Sequence, residues 1–458
     1  MPAAFQQLPS SYRDDSGFIF EKNQTLYRQV NLSFKEHFDH FIKSGCYDYL
    51  VSQDLLIPHT NLLENLTGDP HHYLTLKPEK LPFISYPFEW SFDMLRDAAL
   101  LTLRLATEAL RYDLVLRDAT PYNIQWRVGK FIFIDTLSFE KFNESPWVAY
   151  RQFCETFLGP LLLMHYSRKP LHALQQAWPD GIPLDITRSM LPLKSRFSFH
   201  TGIHIYLHAK ISSRQQGNKN PSGKFSKKKL QNLISSLEIL VRKLKLPTQS
   251  STWSDYYDEA SQRETYLHEK QRIIRDWLTA LQPEIKTGAD LGANDGVFSK
   301  LLASLNIPVI SADFDPYCIN RLYQSIKETG EKNIQPLILD IANPSPSIGV
   351  NNKERTAFTE RLNVDLTLAL ALVHHLVIGK NIPFPLVVDF FSKITNYLVI
   401  EFVPADDEKV QLMLAQKTRN FDDYRQENFE STFLRLFTLE KKEKIPGSQR
   451  VLYLFKKR

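Results

Sequence analysis

The chain has 458 residues, of which 43% are hydrophobic and 23% are charged, a composition typical of folded globular proteins. Fifty-six Lys and Arg against 51 Asp and Glu leave a net charge of +5, which does not indicate polyanion binding by the whole chain. The three cysteines are odd in number and far apart, which excludes a disulfide framework and fits a reducing compartment.

No apolar run approaches the roughly 18 residues that a membrane-spanning helix requires. The first residues also lack a basic segment followed by an apolar stretch, so they do not indicate a secretory signal. We therefore expect a cytoplasmic protein of two or more domains with no membrane span.

The first elements along the chain predict an α+β domain. Apolar and polar residues alternate over 17–30 around a Lys-Asn-Gln turn, which predicts a β-hairpin. Ser33 and Glu36 have the spacing of a capping box and predict a helix that ends at Gly45. Apolar residues at core spacing predict a long helix over Phe92–Arg111.

The segment LRDATPYNIQW follows this helix, and a strand, KFIFI, comes next, so that Asp118, Asn123 and Asp135 lie close in sequence. The three residues resemble the catalytic and metal-binding segments of kinase-like phosphotransferases. In that family an Asp, a following Asn and an Asp after a short hairpin serve as base and Mg²⁺ ligands. The resemblance implies a kinase-like fold for the first domain.

Two features depart from the kinase pattern. No histidine precedes Arg117 and Asp118, and the hairpin has neither a glycine-rich phosphate loop nor an evident lysine, Arg28 being its nearest basic residue. We therefore expect a degenerate domain that binds substrate or a partner, with Mg²⁺ bound only if Asp118, Asn123 and Asp135 are functional. The alternative is that Asp118 and Asn123 only satisfy turn amides.

A basic stretch from Ala209 to Leu246 carries ten Lys and Arg and a single acidic residue, Glu238. Its polar, Gly- and Ser-containing centre predicts a mobile loop, and the residues from Lys227 to Lys245 predict an amphipathic helix. We interpret it as a linker and docking helix; a phosphate-contacting surface is the alternative. The predicted domains are thus an α+β domain at 1–208, the basic linker and helix at 209–250, and a third segment at 251–458.

Helices and apolar strands alternate in this last segment, which predicts an α/β domain with a parallel sheet. The first strand ends at Asp290 and runs into a turn with Gly292, Asn294 and Gly296, ahead of an apolar helix. Glycines at such a turn allow the backbone to approach a ligand closely. Asn294 takes the place of the middle glycine of a dinucleotide-binding fingerprint, so the turn by itself is a weak signal.

The next two strands end in Asp313 and Asp340. Asp313 is placed to accept hydrogen bonds from both hydroxyls of a ribose, and Asp340 is placed for an adenine amino group. Acidic residues at the carboxyl ends of successive parallel strands lie along one ligand crevice. Each could alternatively be a helix cap or a loop carboxylate, but that reading does not explain all of them together.

This ordered set resembles class I S-adenosylmethionine-dependent methyltransferases, over about Ser254–Arg458. The matching segments are DLGANDG, the ribose and adenine aspartates, and ALVHHL after the fourth strand. The resemblance implies a seven-stranded Rossmann-like sheet with a reversed final hairpin, whose last strand is RVLYLFKK, and S-adenosyl-L-methionine as cofactor. Asn294 and Asp295 depart from the small residues common in that loop.

Three residues are candidates for a general base. His374 or His375 follows the fourth strand, and histidine titrates near neutral pH. Glu401 ends a later strand, NYLVIEF, on the same edge of the sheet. Each has a structural alternative, because one of two adjacent histidines usually faces the core and Glu401 could bond loop amides.

The sequence therefore predicts O- or N-methylation of a small-molecule, sugar or lipid-linked acceptor. No zinc-ligand spacing is found, so the predicted chemistry is metal-independent. Nucleic acid is not the expected acceptor, because phosphate binding needs a concentrated basic surface. Two alternatives remain open: a non-catalytic binding or scaffold protein, and a bifunctional phosphotransferase–methyltransferase. The acceptor and the oligomeric state are not predicted.

Overall fold

The structure, a computed structural model, describes residues 5–207, 225–247 and 262–458, except the side chains of 262–264. Residues 208–224, which hold most of the predicted mobile loop, lie outside this part of the chain. Two compact units are found, Met1–Pro247 with Ile348–Arg355, and Thr248–Ser347 with Thr356–Arg458. The sequence did not indicate that residues 348–355 belong with the first unit.

The N-terminal unit begins with five antiparallel strands: β1 (Gln6–Gln7), β2 (Gly17–Lys22), β3 (Thr25–Asn31), β4 (His59–Leu62) and β5 (His72–Pro78). Their order in the sheet is β1-β2-β3-β5-β4. The register between β2 and β3 pairs Gly17 with Val30, which confirms the predicted hairpin. Asn23 and Gln24 form its turn with φ values of 51° and 61°, as a two-residue hairpin loop requires.

Two short helices follow the hairpin, α1 (Lys35–Lys43) and α2 (Cys46–Ser52), and Gly45 separates them with φ +79°. The capping box predicted at Ser33 and Glu36 is wrong. Helix α1 begins at Lys35 after the 3₁₀ turn Leu32–Phe34, which contains Ser33, so that Phe34 and not Ser33 is at the N-cap position. The Ser33 hydroxyl donates to the Asp15 carbonyl.

Helix α3 (Phe92–Arg111) confirms the predicted long helix. The strands after it form two pairs, β6 with β9 and the hairpin β7–β8: β6 (Leu114–Leu116), β7 (Ile124–Arg127), β8 (Lys130–Phe133) and β9 (Phe139–Lys141). The remaining α-helices of this unit among the described residues are α4 (Tyr150–Phe153), α5 (Gly159–Ser167), α6 (Leu174–Ala177), α7 (Leu184–Met190), α8 (Phe199–Thr201) and α9 (Lys227–Lys243). Helix α9 contacts α3 and buries Leu230, Leu237 and Leu240, which confirms the predicted amphipathic helix.

The C-terminal unit is built on seven strands: β10 (Gly288–Leu291), β11 (Val309–Asp313), β12 (Ile334–Ile338), β13 (Val364–Ala369), β14 (Thr395–Phe402), β15 (Phe437–Lys444) and β16 (Val451–Lys457). They form one sheet in the order β12-β11-β10-β13-β14-β16-β15. Strands β10 to β14 pair in parallel, and β16 runs antiparallel to both neighbours. The seven-stranded sheet with a reversed final hairpin is confirmed, as is its last strand.

The α-helices described in this unit are α10 (Gln262–Leu281), α11 (Val297–Ser304), α12 (Pro316–Thr329), α13 (Phe358–Arg361), α14 (Phe384–Ile394), α15 (Glu408–Ala415) and α16 (Gln426–Phe433). The strand order reverses at β10, because β11 and β12 lie on one side of it and β13 on the other. A crevice at the carboxyl ends of the strands is expected at such a switch point.

Candidate functional site

A cavity of about 380 Å³ lies at this switch point, lined by the ends of β10, β11 and β13 and by residues of α10. Gly292 and Asn294 of the turn after β10 both line it, with φ values of +83° and +51°. Glycine and asparagine are the residues that most readily adopt this left-handed conformation. The turn thereby brings backbone to the wall of the cavity where a larger residue would be strained.

Gly296 is not among the described residues that line the cavity. It caps α11 with φ +79°, and a Cβ at this position would lie 2.6 Å from Cδ1 of Leu322. The glycine is therefore explained by packing against α12. Its predicted contact with cofactor has no support from this geometry and stays a prediction.

Asp313, at the end of β11, lines the cavity and is fixed by backbone amides. Its Oδ2 accepts from the Asn294 amide at 2.8 Å and its Oδ1 from the Asp315 amide at 2.9 Å. Burial raises the pKa of Asp313 to about 6. A carboxylate has about four acceptor positions, so two remain for hydroxyl donors in the cavity.

Asp290 and Asp340 also line the cavity. Asp290 is buried and accepts from the Ser299 hydroxyl at 2.7 Å, and burial raises its pKa to about 6. Asp340 is more exposed; its Oδ1 accepts from the Ala342 amide and its Oδ2 lies 3.6 Å from Nζ of Lys380. The structure thus brings the three strand-end aspartates predicted from the sequence to one cavity.

The two adjacent histidines have different surroundings. His375 lines the cavity, and burial together with Lys409 and Arg450 lowers its pKa to about 4. His374 is buried, does not line the cavity, and has no hydrogen-bond partner for either ring nitrogen among the described residues. Of the two histidines, only His375 is therefore in a position to meet a ligand.

Glu401 is fully buried and bound by three side chains from other elements. Its Oε2 lies 2.5 Å from Nζ of Lys270, its Oε1 accepts from the Tyr266 hydroxyl at 2.5 Å, and Arg450 lies 3.5 Å away. Burial alone would raise its pKa, but Lys270 and Arg450 outweigh this and hold the pKa of Glu401 below its ordinary value. This geometry favours a structural role for Glu401 over that of a general base, with the side chains of Lys270, Tyr266 and Arg450 as its partners in place of the loop amides given as the alternative.

Tyr266, Lys270 and Arg450 line the cavity, and sequence reasoning missed all three. They are brought together by Glu401, which lies more than a hundred positions from Tyr266 in the chain. The sequence signal was weak, because a lysine and a tyrosine four residues apart on a helix usually mark a solvated face. A carboxylate at the end of a buried strand was the one hint that cations would be found opposite it.

In the N-terminal unit, Asn123 and Asp135 are in contact, and Nδ2 of Asn123 donates to Oδ2 of Asp135 at 3.3 Å. Asp135 also accepts from the Ser138 hydroxyl and the Leu137 amide, and Nη1 of Arg28 lies 2.5 Å from its Oδ1. Burial opposes ionisation, but Arg28 and these donors hold the pKa of Asp135 below its ordinary value.

Asp118 is partly buried and is paired with the neighbouring Arg117. Nε of Arg117 lies 3.5 Å from its Oδ2. Burial, reinforced by the charge of Asp135, raises the pKa of Asp118.

Within the described residues, no group of three or more His, Cys, Asp or Glu side chains could hold a metal ion. None of the helices in that part of the chain is long and apolar enough to span a membrane.

No family model matches the chain. The nodulation protein NoeA of Rhizobium meliloti (strain 1021) is 32% identical over 468 residues, an alignment that covers 98% of this chain and 96% of that protein. The chain belongs to the NoeA family. Because the alignment runs through both units, this relationship applies to the whole two-unit chain.

Solved structures match parts of the chain. The bifunctional kinase-methyltransferase WbdD matches with 18% identity and a TM-score of 0.32, over 48% of this chain and 46% of that one. The N-methyltransferase NodS from Bradyrhizobium japonicum WM9, in complex with S-adenosyl-L-homocysteine, matches with 15% identity and a TM-score of 0.32, over 45% of this chain and 93% of that one. We assign the fold of the C-terminal unit from its strand order and not from these matches.

The resemblance of the C-terminal unit to class I S-adenosylmethionine-dependent methyltransferases is confirmed by its seven strands, their order and the single reversed strand. S-adenosyl-L-methionine is the cofactor that this fold accommodates at the carboxyl ends of the first strands. The donors and acceptors of the cavity fit it, because Asp313 and Asp340 offer carboxylate oxygens to hydroxyl and amino groups.

Proposed function

We propose that the C-terminal unit is an S-adenosylmethionine-dependent methyltransferase that methylates O or N of a small-molecule, sugar or lipid-linked acceptor. The observation that carries the proposal is the cavity at the switch point, with Asp290, Asp313 and Asp340 at the carboxyl ends of three adjacent parallel strands. A scaffold protein without turnover would not need to keep all three carboxylates in one cavity. This favours an enzyme over the scaffold alternative.

Each wall of the cavity has a distinct role in this proposal. Asp313 would accept from the ribose hydroxyls and Asp340 from the adenine amino group, while the turn at Gly292 and Asn294 would face the methionine end. When bound, the cofactor supplies a methyl carbon already activated by a sulfonium. What the protein adds is position, since alignment of the acceptor can supply much of the rate enhancement.

His375 is our candidate for the residue that receives the acceptor's proton. Its lowered pKa keeps the imidazole neutral at pH 7, so that a ring nitrogen can accept from an O–H or N–H group in the cavity. We expect His375→Asn to lower turnover by about 100-fold or more and to leave cofactor affinity almost unchanged. An equal loss of affinity and turnover would instead assign His375 to cofactor binding.

For the N-terminal unit we propose a kinase-like fold that has lost phosphoryl transfer and now binds substrate or a partner. The supporting observation is that Arg28 and the surrounding donors occupy the oxygens of Asp135, the residue that would otherwise ligate Mg²⁺. This favours a single methyltransferase activity over the bifunctional alternative.

The experiment that tests the enzyme proposal is a two-step assay on the full-length protein. Titration calorimetry with S-adenosyl-L-homocysteine should show saturable binding at one site, and Asp313→Ala should weaken it. Incubation with methyl-labelled cofactor and a metabolite extract should then label an acceptor with the wild-type protein and not with the variant. Binding without any labelled product would favour the scaffold alternative.

A further inference from the structure

The N-terminal unit exposes several large apolar side chains between residues 190 and 207, which we call the 190–207 segment. Phe197 is 90% exposed, Phe199 74% and Leu193 70%, and Met190 and Leu207 are exposed as well. Single exposed apolar residues are common on protein surfaces, but several within one short segment indicate an interaction surface.

The 190–207 segment is folded, so its exposed side chains are not explained by a lack of structure. Helix α8 contacts both the 3₁₀ turn Leu193–Phe197 and the π-helical turn Gly202–Leu207. The hydroxyls of Ser195 and Tyr206 are 2.6 Å apart, and His200 Nδ1 lies 3.0 Å from the Ser236 hydroxyl of α9. Buried Ile205 fixes the segment to the unit. The Phe199 ring touches the edge of its neighbour His200, and both Phe197 and Phe199 nevertheless stay mostly exposed.

The charges within the segment have one sign. Lys194 and Arg196 alternate with the exposed Leu193 and Phe197, and no Asp or Glu occurs from residue 186 to residue 207. Lysine and arginine next to exposed leucine and phenylalanine are typical of elements that lie in the interface of an anionic bilayer. The partner that complements this surface is therefore negatively charged and apolar below its charged layer.

We propose that the 190–207 segment docks the protein on an anionic lipid surface. The aliphatic Met190, Leu193 and Leu207 favour lipid over single-stranded nucleic acid, because bases stack on aromatic rings and gain little from aliphatic side chains. Phe197 and Phe199 insert among the acyl chains, and Lys194 and Arg196 contact the anionic headgroups. This inference is independent of the methyltransferase proposal, since it uses no residue of the cavity.

Sedimentation of the full-length protein with vesicles tests the proposal. We expect it to bind vesicles of phosphatidylcholine mixed with phosphatidylglycerol and not those of phosphatidylcholine alone. Phe197→Ser with Phe199→Ser should weaken this binding about tenfold or more. The matched control Leu63→Ser changes an equally exposed residue of the same unit and should leave it unchanged.

A second pair of variants tests the charges. Lys194→Gln with Arg196→Gln should weaken binding to the mixed vesicles by about 10- to 30-fold, as expected when two cations near an anionic surface are lost. Lys43→Gln with Lys80→Gln removes two exposed cations elsewhere in the same unit and should have no effect. All variants should keep the wild-type melting temperature, because the changed side chains are mostly exposed.

Three results would overturn the proposal. The first is that the protein does not bind the mixed vesicles. The second is that it binds them but the serine and glutamine variants bind equally well. The third is that it does not bind vesicles but binds a single-stranded oligonucleotide through the same residues. The last outcome would assign the segment to nucleic acid.

Discussion

In the C-terminal unit, Asp313 ends a parallel strand and faces a cavity, whereas in the N-terminal unit Asp135 follows a hairpin strand and is surrounded by donors. Among the described residues, Asp313 accepts from two backbone amides and has no cationic partner, and burial raises its pKa. Asp135 has Arg28 at 2.5 Å, and its pKa is lowered. Aspartates at motif positions therefore indicate ligand binding only where the fold leaves acceptor positions free.

The largest effect should come from breaking the ion pair between Arg28 and Asp135 in the N-terminal unit. Arg28→Ala leaves Asp135 buried without its cation, and breaking one side of a buried ion pair costs about 3–5 kcal/mol of unfolding free energy. Chemical denaturation should detect this loss. Arg242→Ala, which removes an exposed pair with Glu238, should cost less than about 1 kcal/mol. Equal losses in the two variants would show that the Arg28 pair is no more important than a surface pair.

The next largest effect concerns ligand affinity at Asp313, in the cavity of the C-terminal unit. Asp313→Ala should weaken binding of S-adenosyl-L-homocysteine by about 1.5–3 kcal/mol, because hydrogen bonds to a charged group are lost. Asp295→Ala is the matched control, since Asp295 lies in the neighbouring turn, pairs with Arg321 and does not line the cavity. Calorimetry that finds the same affinity for wild type and Asp313→Ala would remove Asp313 from the site.

The raised pKa of Asp313 predicts a pH dependence of binding. Above pH 6 the carboxylate is ionised and accepts from hydroxyl donors; below pH 6 a proton occupies it. Affinity for S-adenosyl-L-homocysteine should therefore fall as pH is lowered through about 6, by up to about tenfold for each pH unit. The decline should be smaller in Asp313→Asn, and a wild-type affinity constant from pH 8 to pH 5 would contradict the assignment.

The smallest effect concerns His374, which is buried next to the cavity residue His375. His374→Leu replaces a buried ring whose nitrogens have no partner among the described residues. We expect the unfolding free energy to stay the same or rise by up to about 1 kcal/mol, with cofactor affinity unchanged. A destabilisation above about 2 kcal/mol in thermal or chemical unfolding would mean that the His374 ring makes an interaction on which the fold depends.

Periodicity along the sequence was sufficient for the parallel strands and their three aspartates, whereas the number of strands and the reversed final hairpin came from the resemblance to a known family. The carboxyl ends of parallel strands must meet at one edge, so Asp290, Asp313 and Asp340 could be predicted together from local patterns. The contact of Glu401 with Lys270 could not be predicted from local patterns. It joins residues far apart in the chain and depends on how α10 packs against the sheet.

Two other features show where local reasoning fails. The Ser33 and Glu36 spacing matched a capping box, but Ser33 lies within a 3₁₀ turn that precedes the helix. Its hydroxyl donates to the Asp15 carbonyl, a contact that no local pattern could indicate. Phe197 and Phe199 would be assigned to a core on hydrophobicity alone, yet both are exposed. Side chains are buried by the surrounding fold, and an exposed phenylalanine becomes evident only in three dimensions.

The measurement that tests the comparison most directly is calorimetric titration of the full-length protein with two ligands, S-adenosyl-L-homocysteine and ATP with Mg²⁺. We expect saturable binding of the first and no binding of the second, because two acceptor positions of Asp313 remain for a ligand, whereas those of Asp135 are occupied by Arg28 and its neighbouring donors. Binding of ATP with Mg²⁺ that disappears in Asp135→Asn, or no binding of S-adenosyl-L-homocysteine, would contradict it.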